Sequence, residues 1–156
     1  VLVCVHDQDL DRTTDAASLL GPGAMVAGVD LGVLRSLDAG SWLGRLHRGE
    51  RIPTLAQALT TMPPPCVPMI EHKAGSAEAY VAALRTSSRL EDCIVQSFDW
   101  SFVRAVAALE SRLALALLGP SSTHPRLDAS VLDAAMACGA GMVHWQADRL
   151  TATEVA

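Results

Sequence analysis

Two short stretches bring together residue types that can move protons and hold charge. The first is His6-Asp7, which follows the apolar run Val1 to Val5. The second is Glu71-His72-Lys73, which follows the run Pro65 to Ile70. An imidazole gives up or takes a proton near neutral pH, so His6 can act as an acid or a base. A carboxylate at the end of an apolar strand is costly unless it is paired or bound to a cation, so Glu71 needs a partner. Lys73 is two residues on, and on a strand it shares a face with Glu71. The chemistry on offer is proton transfer beside a site that holds an anion, a cation or both. If both stretches are strands of one parallel sheet, their C-terminal ends face one pocket, where βα enzymes keep their reactive groups.

The elements that must position these residues read as follows. Val1–Val5 is continuously apolar, which predicts a strand covered on both faces. Residues 7–50 predict a long connection that is mostly loop. It contains Gly21-Pro22-Gly23, a short helix after Asp30, and Trp42 in an irregular glycine-containing stretch. Connections of that length in a compact domain are usually functional. Pro53 opens a helix with Leu55, Ala58, Leu59 and Met62 on one face, and Pro63-Pro64-Pro65 ends it. Cys66–Ile70, Cys93–Val95, Leu113–Leu118 and Met142–Trp145 predict further strands. Between them lie helices from Ser76 to about Ser88, from Trp100 to about Glu110 and from Asp128 to Cys138, with Thr151 as the cap of a last one. This alternation predicts an α/β domain with a parallel sheet, either open or part of a (β/α)8 barrel. No phosphate-binding glycine motif follows any strand, which counts against nucleotide-binding open sheets.

The chain has 156 residues, 50% of them hydrophobic and 19% charged, within the range of one globular domain. Its net charge of −5 argues against a nucleic-acid backbone as the partner. A small anionic substrate needs only one local cation. The four cysteines form no Cys-x-x-Cys pair, so they read as buried free thiols and point weakly to a reducing, cytoplasmic compartment. No apolar stretch reaches the roughly 20 residues that span a bilayer.

Several motifs carry a resemblance to a known family. His6-Asp7-Gln8-Asp9-Leu10-Asp11-Arg12-Thr13-Thr14 resembles the H-D-x-x-L-x-R-T-T segment of the glycerophosphodiester phosphodiesterases. The likeness continues over Leu34–Trp42. It continues again at Gly49-Glu50-Arg51-Ile52-Pro53-Thr54-Leu55, Ile70-Glu71-His72-Lys73 and Gln96-Ser97-Phe98-Asp99. The resemblance implies an incomplete (β/α)8 TIM barrel, with residues 1–156 an internal part of the domain. A strand ending in His-Arg and one ending in Glu-x-Asp are expected before Val1, and the last strand after Ala156. On that reading the chain alone is inactive.

The implied reaction is hydrolysis of a glycerophosphodiester to glycerol 3-phosphate and an alcohol. The resemblance makes His6 the general acid, Glu71 a ligand of a divalent cation (Mg²⁺ or Ca²⁺) and Lys73 a phosphate contact. Alternatives stay open at each position. Glu71 and Lys73 could form a plain ion pair. Trp42 could wall the substrate pocket or anchor the loop by packing. Asp7 could orient His6, reach the metal site or cap a turn. Gln96 and Ser97 are possible substrate contacts. His72 replaces an apolar residue of the family pattern and reads as structural. His47, His124 and His144 have no ligand-like partner in the sequence. Two other functions compete: a lysophospholipase D-like phosphodiesterase, and a degenerate barrel that binds without catalysis.

Overall fold

The structure, a computed structural model, describes residues 1–151 and Glu154. These fall into two compact units, Val1–Thr61 and the remainder from Met62.

The second unit carries the sheet. Its strands are β1 (Met69–Glu71), β2 (Ile94–Ser97), β3 (Ala114–Gly119) and β4 (Met142–Trp145). All neighbours pair in parallel, in the spatial order β1-β2-β3-β4. That order favours the barrel over the open sheet. A doubly wound sheet reverses its order at a switch point, whereas a barrel adds each strand beside the last. The four strands are consecutive members of an incomplete (β/α)8 barrel.

Helices α4 (Ala77–Thr86), α5 (Trp100–Leu109) and α6 (Ala129–Cys138) join the strands, and each starts where the sequence predicts. Ser76 accepts a hydrogen bond from the Ala79 amide, Asp99 from Ser101 and Phe102, and Asp128 from Ser130 and Val131. Each cap satisfies amides that the first helical turn leaves unpaired. α6 ends at Gly139, whose φ of 71° is the left-handed conformation a helix C-terminus favours. The buried stripe of α4, Ala77, Tyr80, Val81 and Leu84, follows helical spacing. Against the helices lie Val95, Leu115 and Leu117, all essentially inaccessible. The opposite face of the sheet is left to Glu71, Gln96, Ala116, Met142 and His144, by register and alternation.

The first unit departs from expectation in one important respect. Val1–Val5 is not a strand. It makes a single antiparallel bridge, Val3 to Thr54, flanked by hydrogen bonds from Cys4 N to Pro53 O and from Leu55 N to Leu2 O. An apolar run becomes a strand only when a neighbour supplies a ladder, and here the pairing stops after one bridge. His6 accordingly lies in a bend rather than at a strand end. Residues 7–50 are mostly irregular, as predicted, but they carry short helices α1 (Ala16–Leu19) and α2 (Leu31–Leu34). They also hold a small core of Leu10, Ala16, Leu34, Leu37 and Ile52. α3 (Leu55–Thr61) closes the unit.

Cys93 and Cys138 are buried, but Cys4 and Cys66 are exposed, against the expectation of four buried thiols. Both lie in segments that form no strand, so no sheet covers them. The helix expected after Thr151 lies outside the described residues.

Candidate active site

In the sheet unit the polar residues gather at the C-terminal ends of the strands. Glu71 is the last residue of β1, and Lys73 follows one residue beyond His72. Lys73 Nζ lies 2.6 Å from Glu71 Oε1, with both side chains about two-thirds buried. The ion pair weighed from the sequence is therefore formed. It leaves the second carboxylate oxygen of Glu71 and the remaining ammonium hydrogens of Lys73 for other partners.

His72 is fully committed elsewhere. Its Nε2 lies 3.1 Å from the Gly75 carbonyl, which can only accept, so Nε2 carries the hydrogen. Nδ1 then accepts from the Ser97 hydroxyl at 3.2 Å, and Ser97 Oγ in turn accepts from the Asp99 amide. The ring stacks on Phe102 with centroids 3.6 Å apart. His72 is a packing residue that ties the end of β1 to β2 and α5. The same network turns the Ser97 hydroxyl inward, and Ser97 is 1% exposed, so it is not offered to a substrate.

Gln96 behaves differently. It is the Cα partner of Glu71, which puts the two side chains on one face of the sheet. Its Oε1 accepts a 2.6 Å hydrogen bond from His144 Nδ1 on β4. The sequence reading left His144 without a partner. The partner is two strands away, and only the strand register reveals it. At the same edge Gly119 faces Trp145 across the β3–β4 ladder. A Cβ at Gly119 would stand 2.0 Å from the indole, so only glycine fits there.

In the first unit His6 heads a chain of contacts. Asp7 Oδ1 lies 2.6 Å from His6 Nδ1, and Asp7 Oδ2 accepts from Arg12 Nε at 2.6 Å. Of the three roles open to Asp7, this geometry is that of a carboxylate that orients an imidazole, with Nδ1 as donor and Nε2 left free. The Arg12 guanidinium, then His6, hold the Asp7 carboxyl down at about 2. Arg12 also sits 5.8 Å from the centre of the Trp42 ring.

Trp42 is half exposed, and its indole nitrogen donates to the Ala39 carbonyl. That loop is folded around Asp38, which accepts from the amides of Gly40, Ser41 and Gly49. These hydrogen bonds, led by those of Ser41 and Gly40, hold the Asp38 carboxyl far below the usual carboxylate range. Trp42 is thus anchored at its nitrogen and open along much of its ring.

The cation expectation has a narrower basis. The carboxylate of Glu71 is the oxygen donor that Mg²⁺ or Ca²⁺ prefers. Among the described residues, however, no three His, Cys, Asp or Glu side chains come together as a metal cage. Glu71 alone does not make a cation site.

The profile of the glycerophosphoryl diester phosphodiesterase family matches residues 1–154. The chain belongs to that family. It is 32% identical to the glycerophosphodiester phosphodiesterase of Caldanaerobacter subterraneus subsp. tengcongensis, over 75% of this chain and 49% of that protein. A phosphodiesterase of Oleispira antarctica, solved in complex with the product sn-glycerol-3-phosphate, superposes with a TM-score of 0.75 at 21% identity. That match covers 98% of this chain and 61% of the other. A glycerophosphodiester phosphodiesterase of Agrobacterium tumefaciens gives a TM-score of 0.68 at 21% identity, over 92% and 57% of the two chains. The chain thus spans 49% to 61% of the length of these relatives.

Proposed function

We propose that the gene product carrying this chain hydrolyses glycerophosphodiesters to glycerol 3-phosphate and an alcohol. The observation that carries the reading is the Glu71–Lys73 pair at the end of β1, in a chain whose family is shown by residues 1–154. Lys73 contributes a positive charge to the phosphate oxygens, where charge builds in the transition state. His6 donates a proton to the departing alkoxide, with Asp7 fixing its tautomer. Trp42 offers an apolar ring face to the substrate. A divalent cation, Mg²⁺ or Ca²⁺, is part of the proposal on the family resemblance: when bound it would neutralise phosphate charge, with Glu71 as one of its ligands.

The substrate is a small molecule. Among the described residues no helix is long and apolar enough to cross a membrane. The cytoplasm is the compartment this reading keeps.

The test is ³¹P NMR of the purified gene product with glycerophosphocholine and, separately, lysophosphatidylcholine, with Mg²⁺ or Ca²⁺. Release of glycerol 3-phosphate from the first supports the reading. Turnover of lysophosphatidylcholine alone replaces it with the lysophospholipase D-like activity. Binding with no turnover of either substrate replaces it with the binding module.

A further inference from the structure

We propose that Gln96 is a phosphate-binding residue and that His144 is the positioning residue that aims it. The inference rests on the reading of Glu71 and Lys73 as the phosphate end of the site, and names two residues that reading does not include.

Three observations lead to it. Glu71 and Gln96 are Cα partners on adjacent parallel strands, about 4.8 Å apart, so their side chains emerge together on the face turned away from the helices. Next, an amide oxygen can only accept, so the 2.6 Å contact with Gln96 Oε1 requires the hydrogen on His144 Nδ1. That bond fixes which way the amide is turned. The oxygen is taken up on the β4 side, and the NH₂ group is left without a protein partner among the described residues.

The third observation concerns β3, which lies between them. Gln96's Cα partner there is Ala116, and its methyl group is short enough for Gln96 to reach across to β4. The neighbours of Gln96 and His144 on that face, Ala116, Leu118 and Met142, have no polar group to compete for the amide. The result is a fixed NH₂ donor on β2, beside the strand that ends at Glu71. Two donors, this amide and the Lys73 ammonium, suit an anion with several oxygens, and a phosphate has them. Without His144 the amide can rotate and present its oxygen, which a phosphate repels.

The experiment uses the full gene product and two probes, glycerol 3-phosphate and inorganic phosphate, with affinity read by calorimetry. Gln96→Ala and His144→Ala should each weaken both probes about 10-fold. The double variant should be no weaker than either one, because the two residues act as one unit. His144→Asn, which keeps an N–H near the place of Nδ1, should recover most of the loss. In the unsubstituted protein, the ¹⁵N side-chain amide of Gln96 should shift on titration with either probe.

An unchanged affinity in Gln96→Ala overturns the proposal, and so does an unmoved Gln96 amide. Additive losses in the double variant, or no rescue by His144→Asn, remove the positioning role. Lys73→Ala separates the two levels. If it weakens phosphate binding and Gln96→Ala does not, only this inference fails. If neither matters, the reading of the site itself fails.

Discussion

Lys73 Nζ and Glu71 Oε1 are in contact at 2.6 Å, across a single intervening residue whose ring points elsewhere. An ion pair and a phosphate site are not exclusive, because the pair uses one hydrogen of the ammonium and one oxygen of the carboxylate. The two readings differ in what the pair does for turnover. If Lys73 stabilises the transition state, Lys73→Ala lowers kcat by about 10²-fold while the thermal melt changes little. A loss confined to the melting temperature, with kcat retained, would leave only the ion pair.

Asp7 divides its two oxygens between His6 and Arg12. Asp7→Asn keeps the shape but lets the side chain present an NH₂ to the imidazole, which removes the tautomer preference. We expect kcat to fall by at least about 10-fold with KM nearly unchanged. Arg12→Ala should act more weakly, because it loosens Asp7 without replacing it. Steady-state kinetics of the two variants rank these effects.

Glu110 anchors a second charged cluster, remote from the chemistry in role. It accepts from Arg112 Nε and Nη2 and from Arg85 Nε, at 2.9 to 3.0 Å, while itself only 5% exposed. Arg112 first, then Arg85, hold its carboxyl at about 2, below the ordinary 4.5. A carboxyl lowered in the folded state stabilises the fold above its ordinary value, and that contribution disappears as the pH falls toward 2. Thermal melts between pH 5 and pH 2 should therefore drop more steeply for the unsubstituted protein than for Glu110→Gln. Parallel curves would show that the cluster contributes nothing to acid stability.

Two backbone and core positions calibrate the sheet unit. Gly139→Ala forces a left-handed conformation on a residue with a Cβ, which would also stand 3.0 Å from the Ala107 Cβ. The expected cost is about 1 to 2 kcal/mol. Leu117 is fully buried on β3, and Leu117→Ala should cost about 2 to 5 kcal/mol. Urea titration of both variants checks the order, with Leu117→Ala the less stable.

How much of this was legible in the sequence depended on how local the signal was. The helices after Ser76, Asp99 and Asp128 were readable because a cap and an apolar stripe both lie within one helix. The Val1–Val5 run misled, because apolar character does not say whether a neighbouring ladder is available. Ser97 looked like a substrate contact from its place at the end of β2. Its hydroxyl proved to serve His72, a partner just beyond the end of β1. The Gln96–His144 bond was out of reach for the same reason: it joins β2 to β4 across β3, and register is set by the sheet rather than by either segment. The order of the strands, which favours barrel over open sheet, is likewise a property of the assembled unit.

The central proposal is that His6 and Lys73 each serve phosphodiester cleavage. The most direct measurement is kcat/KM of the full gene product on glycerophosphocholine, for His6→Ala, Lys73→Ala and the two combined. Each single variant is predicted to lose about 10² to 10⁴-fold. The double variant should lose much less than the product of the two, as residues acting in one step do. Activity within twofold of the unsubstituted enzyme for His6→Ala, or fully multiplicative losses in the double variant, would contradict it.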